Sequence, residues 1–93
     1  MELIDVFSYS QMKEMLEDSE KAFVMLYKSG SESSDCALSR LESIGEIPEN
    51  VLLLKADVSQ VRDIHPVYNI TSVPTLLQFD KGELKNVVKG CMT

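Results

Sequence analysis

The two cysteines of this sequence, Cys36 and Cys91, are the residues best suited to covalent chemistry. Cys36 lies in the stretch SGSESSDCALSRL, residues 29–41, whose pattern is typical of a small polar loop that leads into a helix. Cysteines that exchange disulfides are often spaced as C-x-x-C, where one thiolate attacks and the second thiol resolves the mixed disulfide. Ser33 holds the first of those positions here, so only half of the spacing is present.

Ser33 cannot replace the missing thiol, because a serine hydroxyl stays protonated unless a base lies beside it. The single histidine, His65, belongs to a later segment and is predicted to be solvated on a polar helix face. Glu32 and Asp35 lie near Cys36 in the sequence, and nearby negative charge disfavours a thiolate. Two interpretations of Cys36 therefore stay open: a single reactive thiol, or a small and partly buried helix residue.

The composition argues against several classes of function. The formal charge is -6, so we expect neither nucleic acid nor an anionic membrane as a partner. One histidine and two cysteines provide no credible zinc-binding set, and we expect no metal and no cofactor. No apolar run approaches the ~20 residues that span a membrane, and the first residues lack a secretory signal pattern, so the expected location is cytoplasmic.

Hydrophobic runs predict the strands that position these residues. Two uninterrupted apolar runs, at residues 22–29 and 51–58, have the length and composition of strands that are buried on both faces of a sheet. A further strand is predicted at residues 2–7, and a hairpin at residues 75–80 and 83–88 with Lys81-Gly82 as its turn.

Three helices are predicted between the strands. The first helix covers residues 10–20, with Ser8 or Ser10 as its cap. The second helix carries Cys36 and ends at Gly45 and Pro48, and its candidate caps are Ser33, Ser34 and Asp35. The third helix covers residues 59–70, with Pro66 at its start or at a kink. This order of elements predicts one α/β domain over residues 1–93, with a sheet that is parallel in part and has an antiparallel edge.

Several residues of the predicted strands have expected positions relative to the core. Phe7, Phe23 and Phe79 are predicted to be core residues. Lys55 interrupts an apolar strand and is predicted either to reach the surface or to pair with Asp57 or another carboxylate.

The segment ITSVPTLLQFDKGE, residues 70–83, resembles the thioredoxin family, in which a small-x-Pro-Thr turn leads into an apolar strand and a hairpin. The resemblance extends upstream through VLLLKADVSQVRDIHPVYNI, residues 51–70. It implies a thioredoxin-like fold, a central mixed sheet flanked by helices. It also implies a cis Val73-Pro74 bond beside the thiol site, with Val73, Pro74 and Thr75 as substrate-binding residues and the backbone of Val73 pairing with an extended segment.

The sequence departs from the thioredoxin pattern at several positions. Ser33 occupies the position of the attacking cysteine, and Glu32 that of a tryptophan in the family's docking surface. Leu26 or Tyr27 stands where thioredoxins bury an aspartate that assists proton transfer. The sequence stops at GCMT where the family has a final helix, which predicts either a shortened chain or a sheet face covered by a partner or, through self-association, by a second copy.

Cys91 directly follows Gly90, which resembles the glycine after the last strand of thioredoxins. The resemblance implies that this end of the sheet lies beside the thiol loop, so Cys91 could approach Cys36 and form a pair that is distant in sequence. Such a bridge requires Cα atoms within about 7 Å of each other. The alternative interpretation of Cys91 is a surface cysteine in the tail.

Two functions of different kinds follow. The first is an atypical thiol–disulfide redox domain that acts on protein thiols or disulfides, at most through Cys36 alone or through Cys36 with Cys91. The second is a redox-inactive module that binds an extended peptide or protein segment at the Val73-Pro74 edge. A third hypothesis is that Ser33 replaces a cysteine of a C-x-x-C relative, because Ser33→Cys alone restores the spacing.

Overall fold

The computed structural model describes residues 3–42 and 51–90, which contain a mixed five-stranded sheet and two helices. The strands are β1 (Ile4–Asp5), β2 (Lys21–Tyr27), β3 (Val51–Asp57), β4 (Thr75–Asp80) and β5 (Glu83–Lys89), and the helices are α1 (Tyr9–Glu17) and α2 (Glu32–Glu42). The strand order is β1-β3-β2-β4-β5, with β1, β3 and β2 parallel and with β4 and β5 antiparallel to their neighbours. The predicted α/β fold with a mixed sheet is confirmed.

β2 and β3 are the central parallel pair, and their side chains are buried on both faces of the sheet. Successive residues of a strand point to opposite faces, so alternate side chains enter different clusters. Val24 and Leu54 belong to the cluster that contains Met12 of α1, whereas Met25 and Leu53 belong to the cluster beside α2. The uninterrupted apolar runs therefore predicted these two strands correctly.

The hairpin of β4 and β5 closes through the predicted two-residue turn. Lys81 and Gly82 have φ angles of 52° and 83°, and Asp80 pairs with Glu83 across the turn. Two consecutive residues with positive φ give the turn the twist that matches the flanking strands. The hairpin brings Lys89, the last residue of β5, opposite Thr75, the first residue of β4.

α1 begins after Ser8, one of the two caps predicted for it. The Ser8 hydroxyl accepts a hydrogen bond from the backbone N–H of Gln11 at 3.1 Å, which satisfies a donor that the helix leaves free. Met12 and Leu16 are buried at helical spacing. β1 is shorter than the predicted strand at residues 2–7, and the predicted end of α2 at Gly45 and Pro48 lies outside the described residues.

No helix forms over residues 59–70, where one was predicted. Pro66 has no N–H to donate, and its ring disfavours helical geometry at the preceding residue, His65. The segment closes isolated turns instead, one of them through the hydrogen bond from Val67 N–H to Ile64 C=O at 3.1 Å. The apolar spacing that suggested a helix comes from buried side chains of this irregular segment: Val61, Ile64 and Ile70.

The three phenylalanines occupy different environments. Phe79 is 1% exposed in β4, as predicted, and Phe23 is half-buried in β2. Phe7 is 67% exposed, so its prediction as a core residue was wrong. Phe7 follows the short β1, and its backbone N–H donates to the Gln11 side chain at 2.8 Å, which keeps the residue in the loop before α1.

Candidate functional site

A buried serine ties the start of α2 to the end of β2. The Ser34 hydroxyl is fully buried and accepts a hydrogen bond from the backbone N–H of Lys28 at 3.0 Å. Between these two residues the chain turns at Gly30, whose φ of 86° lies in the left-handed region that favours glycine. The first turn of α2 is thereby held close to the end of a central strand.

Ser31 occupies the N-cap position of α2, which begins at Glu32. The Ser31 hydroxyl accepts from the N–H of Ser34 at 3.4 Å, and its carbonyl accepts from the N–H of Asp35 at 2.9 Å. The predicted caps, Ser33, Ser34 and Asp35, lie inside the helix, so that prediction was wrong. The run of serines offers several residues with the same cap preference, and the buried bond of Ser34 selects among them.

Ser33 and Cys36 both lie exposed near the beginning of α2. Ser33 is in the first turn, where backbone N–H groups have no acceptor within the helix, and Cys36 follows one turn later. Cys36 is therefore not the partly buried helix residue of the second interpretation. Cys36 is disulfide-bonded. The other cysteine of the sequence, Cys91, lies outside the described residues.

The loop before β4 contains the other predicted site residues. The Val73-Pro74 peptide bond is cis. Thr75 is fully buried, and its hydroxyl donates to the carbonyl of Ser72 at 2.8 Å, while the carbonyl of Pro74 accepts from Gly90 N–H at 2.8 Å. Within residues 3–42 and 51–90, neither the N–H nor the C=O of Val73 has a hydrogen-bond partner. Both backbone groups of Val73 are therefore left unpaired by the described part of the chain.

The register of the sheet brings this loop to the edge at which α2 begins. Thr75 pairs with Leu26 of β2 on one side and with Lys89 of β5 on the other. Neighbouring strands lie about 4.8 Å apart. The residues that follow Leu26 and Lys89 and those that precede Thr75 therefore lie close together at one edge of the sheet. That edge holds the loop that leads to α2, the Val73-Pro74 bond and the residue before Cys91.

Tyr27 and Leu26 were the two candidates for the position of the buried aspartate in thioredoxins. Leu26 packs in the α1 cluster, whereas Tyr27 packs in the α2 cluster. Burial raises the pKa of Tyr27 above its usual value near 10, and the negative charges of Asp5 and Asp57 raise it further. A phenol with a raised pKa is protonated at neutral pH, so Tyr27 cannot serve there as a base.

A buried carboxylate lies one strand away from Tyr27, at Asp57. Tyr27 and Asp57 are paired in register on β2 and β3. A carboxylate oxygen of Asp57 accepts from the Ser59 hydroxyl at 2.6 Å and from the Ser59 N–H at 3.0 Å. The hydrogen bond from the Ser59 hydroxyl contributes most to lowering the pKa of Asp57, whereas burial acts in the opposite direction. Lys55 pairs with Asp5 at 3.7 Å, which agrees with the prediction that it pairs with a carboxylate.

We expect Ser59→Ala to lower the free energy of unfolding by about 1.5 kcal/mol at pH 7, because it removes a hydrogen bond to a charged group. A carboxyl with a depressed folded-state pKa contributes stability above its unfolded pKa of about 3.9 and loses that contribution as the pH falls through the folded pKa. The difference between the two proteins should therefore shrink at acidic pH. Urea unfolding of both proteins between pH 7 and about pH 2 measures it.

The control for this prediction is Ser10→Ala, which removes a hydroxyl from an exposed residue of α1 and should change stability by less than about 0.5 kcal/mol. An effect of Ser59→Ala that stays constant with pH would contradict the role given to the Asp57 carboxylate.

His65 is half-buried and lines a pocket that also includes Val73. The pocket has a volume of about 130 Å³ and is lined by Val58, His65, Ile70, Thr71, Ser72 and Val73. Nδ1 of His65 is buried and has no hydrogen-bond partner within the described residues. The prediction of a solvated histidine was therefore wrong for this nitrogen.

Sequence reasoning missed the environments of both Asp57 and His65. A usable signal existed for Asp57, because an aspartate followed two residues later by serine at the end of a strand is typical of a side-chain-to-backbone turn. The pairing of His65 with Pro66 indicated a turn, but nothing in the sequence indicated which nitrogen becomes buried.

The described residues contain no helix that is long and apolar enough to cross a membrane. Among these same residues, histidine, cysteine and carboxylate side chains do not gather in threes that could hold a metal ion.

No family model matches this sequence, and no curated protein matches it in a sequence comparison. The similarity is found in solved structures. A thioredoxin from Malassezia sympodialis is 20% identical with a TM-score of 0.87, and the match covers 99% of this chain and 84% of that one. The oxidised mitochondrial thioredoxin from Saccharomyces cerevisiae is 17% identical with a TM-score of 0.88, over 97% of this chain and 85% of that one.

A third similar structure is a thioredoxin from Plasmodium falciparum, at 19% identity and a TM-score of 0.86, with 96% of this chain and 87% of that chain covered. The chain described here has the thioredoxin fold. At this level of identity the comparison establishes the fold alone.

Proposed function

We propose that this protein is a thiol–disulfide exchange domain in which Cys36 and Cys91 form a reversible disulfide. The observation that carries the proposal is that Cys36 is exposed near the beginning of α2 and is disulfide-bonded, in a sequence whose only other cysteine is Cys91. Ser33 does not take part as a nucleophile, since no base is placed beside its hydroxyl by any described contact.

The position of Gly90 supports a pairing between cysteines that are distant in sequence. Gly90 N–H donates to the Pro74 carbonyl at 2.8 Å, so the residue before Cys91 is fixed at the sheet edge where α2 begins. Three neighbouring strands, β2, β4 and β5, end or begin at this edge. A disulfide between strand and helix there would join the carboxyl end of β5 to the first turns of α2.

The exchange proceeds in two balanced steps. A thiolate of the partner attacks Sγ of Cys36, the Cys36–Cys91 bond breaks, and Cys91 leaves as a thiolate. A second thiol of the partner then displaces Cys36 from the mixed disulfide. The partner loses two electrons and becomes a disulfide, while the domain gains them and becomes a dithiol. The reverse sequence reduces a partner disulfide. Protein thiols or disulfides are therefore the substrate class.

The test is a set of oxidised proteins, wild type, Cys36→Ser and Cys91→Ser, each mixed with a synthetic peptide dithiol. Peptide mapping without reductant should find Cys36 linked to Cys91 in the wild type, and the wild type should oxidise the peptide stoichiometrically. Neither serine variant should oxidise the peptide dithiol, because neither can contain the Cys36–Cys91 disulfide. When reduced Cys91→Ser is mixed instead with the peptide in its disulfide form, the Cys36 thiolate should attack that disulfide and the reaction should stop at a mixed disulfide on Cys36. Full oxidation by Cys91→Ser, or an inert wild type, would overturn the proposal.

A second candidate function is the binding of an extended peptide along Val73. The specific observation in its favour is that the N–H and C=O of Val73 have no partner within the described residues, at the edge that also holds Cys36. Extended segments bind such groups as an added strand, and neighbouring pockets then select their side chains. Peptide binding is compatible with exchange, since it would hold a partner's sulfur near Cys36.

A further inference from the structure

A second pocket lies at the edge of the sheet where the three parallel strands end. β1 ends at Asp5, β2 at Tyr27 and β3 at Asp57. The pocket has a volume of about 240 Å³, and its lining includes these three residues and, from the loops that follow β1 and β2, Phe7 and Ser29. Ligands of open α/β sheets commonly bind outside the carboxyl ends of the parallel strands. The pocket therefore lies where a binding site is expected.

The register of the strands places the side chains of Asp5, Tyr27 and Asp57 on one face of the sheet. Asp5 is paired with Lys55, and Tyr27 is paired with Asp57. Paired residues of neighbouring strands point to the same face, and so do residues two apart on one strand, such as Lys55 and Asp57. Both carboxylates also raise the pKa of the Tyr27 phenol, in addition to the larger effect of burial. The two negative charges therefore act on the same region.

The two carboxylates give the pocket an excess of negative charge. Hydrogen bonds from Ser59 lower the pKa of Asp57, so its carboxyl is ionised at neutral pH. No lysine or arginine of the described residues pairs with Asp57. Asp5 is half exposed and meets Lys55 at 3.7 Å, and none of the described residues donates a hydrogen bond to its carboxylate. The described part of the chain thus leaves the Asp5 oxygens with unused capacity to accept hydrogen bonds.

An exposed aromatic ring lies at the same pocket. Phe7 follows Asp5 by two residues and is largely exposed, although it lines the pocket. Its backbone N–H donates to the Gln11 side chain, which holds the loop that carries the ring. The face of an aromatic ring attracts cations. A guanidinium group suits a carboxylate beside such a ring, because it is planar, forms paired hydrogen bonds with carboxylates and stacks on aromatic faces.

We propose that this pocket binds the side chain of an arginine from a partner protein. The guanidinium group bonds to the carboxylate of Asp5 and stacks on the ring of Phe7, and the charge of Asp57 attracts it from the end of β3. The aliphatic stem of the arginine covers part of the exposed ring. The formal charge of -6 favours a basic partner over an acidic one. This inference goes beyond thiol–disulfide exchange and involves neither cysteine.

The test begins with a matched pair of capped, cysteine-free tripeptides, which hold arginine or citrulline between two glycines. Citrulline has the shape of arginine without its charge. Binding is followed by NMR titration of the nitrogen-15-labelled protein. The arginine peptide should bind about fivefold more tightly than the citrulline peptide, with shifts of the Asp5, Phe7 and Tyr27 amides. Equal binding of the two peptides, or no shift of these amides, would overturn the proposal.

Two further probes separate a partner's arginine from other cations. The corresponding lysine peptide should bind about threefold less tightly than the arginine peptide, because an ammonium group is more strongly hydrated and lacks the planar fork. Methylguanidinium, which has no aliphatic stem, should also bind less tightly than the arginine peptide. Lysine that matches arginine would overturn the choice of a guanidinium group, and methylguanidinium that matches it would assign the pocket to a small free cation instead.

Three variants locate the binding site. Asp5→Asn should abolish the preference for arginine over citrulline, and Phe7→Ala should weaken binding of the arginine peptide about threefold. Glu14→Gln is the matched control, because it removes the same charge from an exposed residue of α1 outside the lining of the pocket, and it should keep the preference. All three residues are exposed, so the variants should fold. A preference that survives in Asp5→Asn, or that is lost in Glu14→Gln, would overturn the assignment.

Discussion

Ser33→Cys should make this domain reduce insulin with dithiothreitol at least about tenfold faster than the wild type does. Ser33 is exposed in the first turn of α2, and Ser31 caps that turn. A thiol there lies among backbone N–H groups without helical acceptors, which lower its pKa from about 8.5 and raise the fraction of thiolate at neutral pH. Cys36, one turn later, then resolves the mixed disulfide.

The matched control is Ser39→Cys, which creates the same spacing on the other side of Cys36. Ser39 is also exposed in α2, but it lies two turns from the cap, where the backbone N–H groups are bonded within the helix. Its thiol should keep an ordinary pKa, and the insulin rate should stay near that of the wild type. Equal rates for the two variants would contradict the importance of the first turn.

The acidic residues in the first turn of α2 limit how much Ser33→Cys can increase the rate of insulin reduction. Glu32 and Asp35 both lie in that turn, and their charges disfavour a nearby thiolate. The rate of Ser33→Cys should therefore rise further when Glu32→Gln is added. The same charges make the surface of the wild-type site acidic. Glu32 holds the position at which the resemblance to thioredoxins implies a tryptophan.

Much of the fold could be predicted from local patterns, because those patterns coincide with the final packing. The apolar runs that became β2 and β3 have no polar face to place in water, so they are explained by burial alone. The hairpin is encoded by Lys81-Gly82, since two residues with positive φ are needed there and glycine adopts one of them without strain. The agreement of several local signals with one topology is typical of sequences that specify a single fold.

The segment at residues 59–70 shows where such reasoning stops. Its apolar residues have a spacing that a helix would produce, yet the chain around Pro66 closes isolated turns. A period in the sequence records which side chains are buried, and an irregular loop that covers the sheet can bury the same residues. Whether the segment forms a helix or an irregular loop is determined by how it packs on the sheet.

The features of the candidate site that depend on the order of elements along the chain could be predicted, whereas those that depend on which atoms become buried could not. Ser33 and Cys36 were placed correctly at the beginning of a helix after a buried strand, since that order is visible in the sequence. The buried Nδ1 of His65 depends on how the loops cover the sheet edge, whereas the bonds of Asp57 to Ser59 are local and are indicated by the two-residue spacing of the aspartate and the serine. Contacts between residues whose burial is set by tertiary structure have no signature in a single sequence.

Phe79→Ala should lower the free energy of unfolding by about 3–5 kcal/mol, the range for removing a buried aromatic side chain. Phe79 is 1% exposed in β4. Its ring meets that of Tyr68 edge to face, with ring centroids 5.7 Å apart, and Tyr68 in turn meets Tyr9 of α1 at 6.3 Å. A domain of this size is stable by about 0.05–0.15 kcal/mol per residue, so the loss is a large part of the total. Urea unfolding measures it.

The matched control is Phe7→Ala, which removes the same ring from a residue that is 67% exposed and should cost less than about 0.5 kcal/mol. Tyr68 provides an independent readout, because burial, followed by its interaction with Tyr9, raises the pKa of Tyr68 to about 12. Losing the ring of Phe79 admits water to Tyr68, so its absorbance titration in the folded variant should move towards the usual value near 10. Equal costs for the two substitutions would mean that Phe79 does not organise this aromatic contact. An unchanged titration of Tyr68 in Phe79→Ala would contradict the shielding of the Tyr68 phenol by the Phe79 ring.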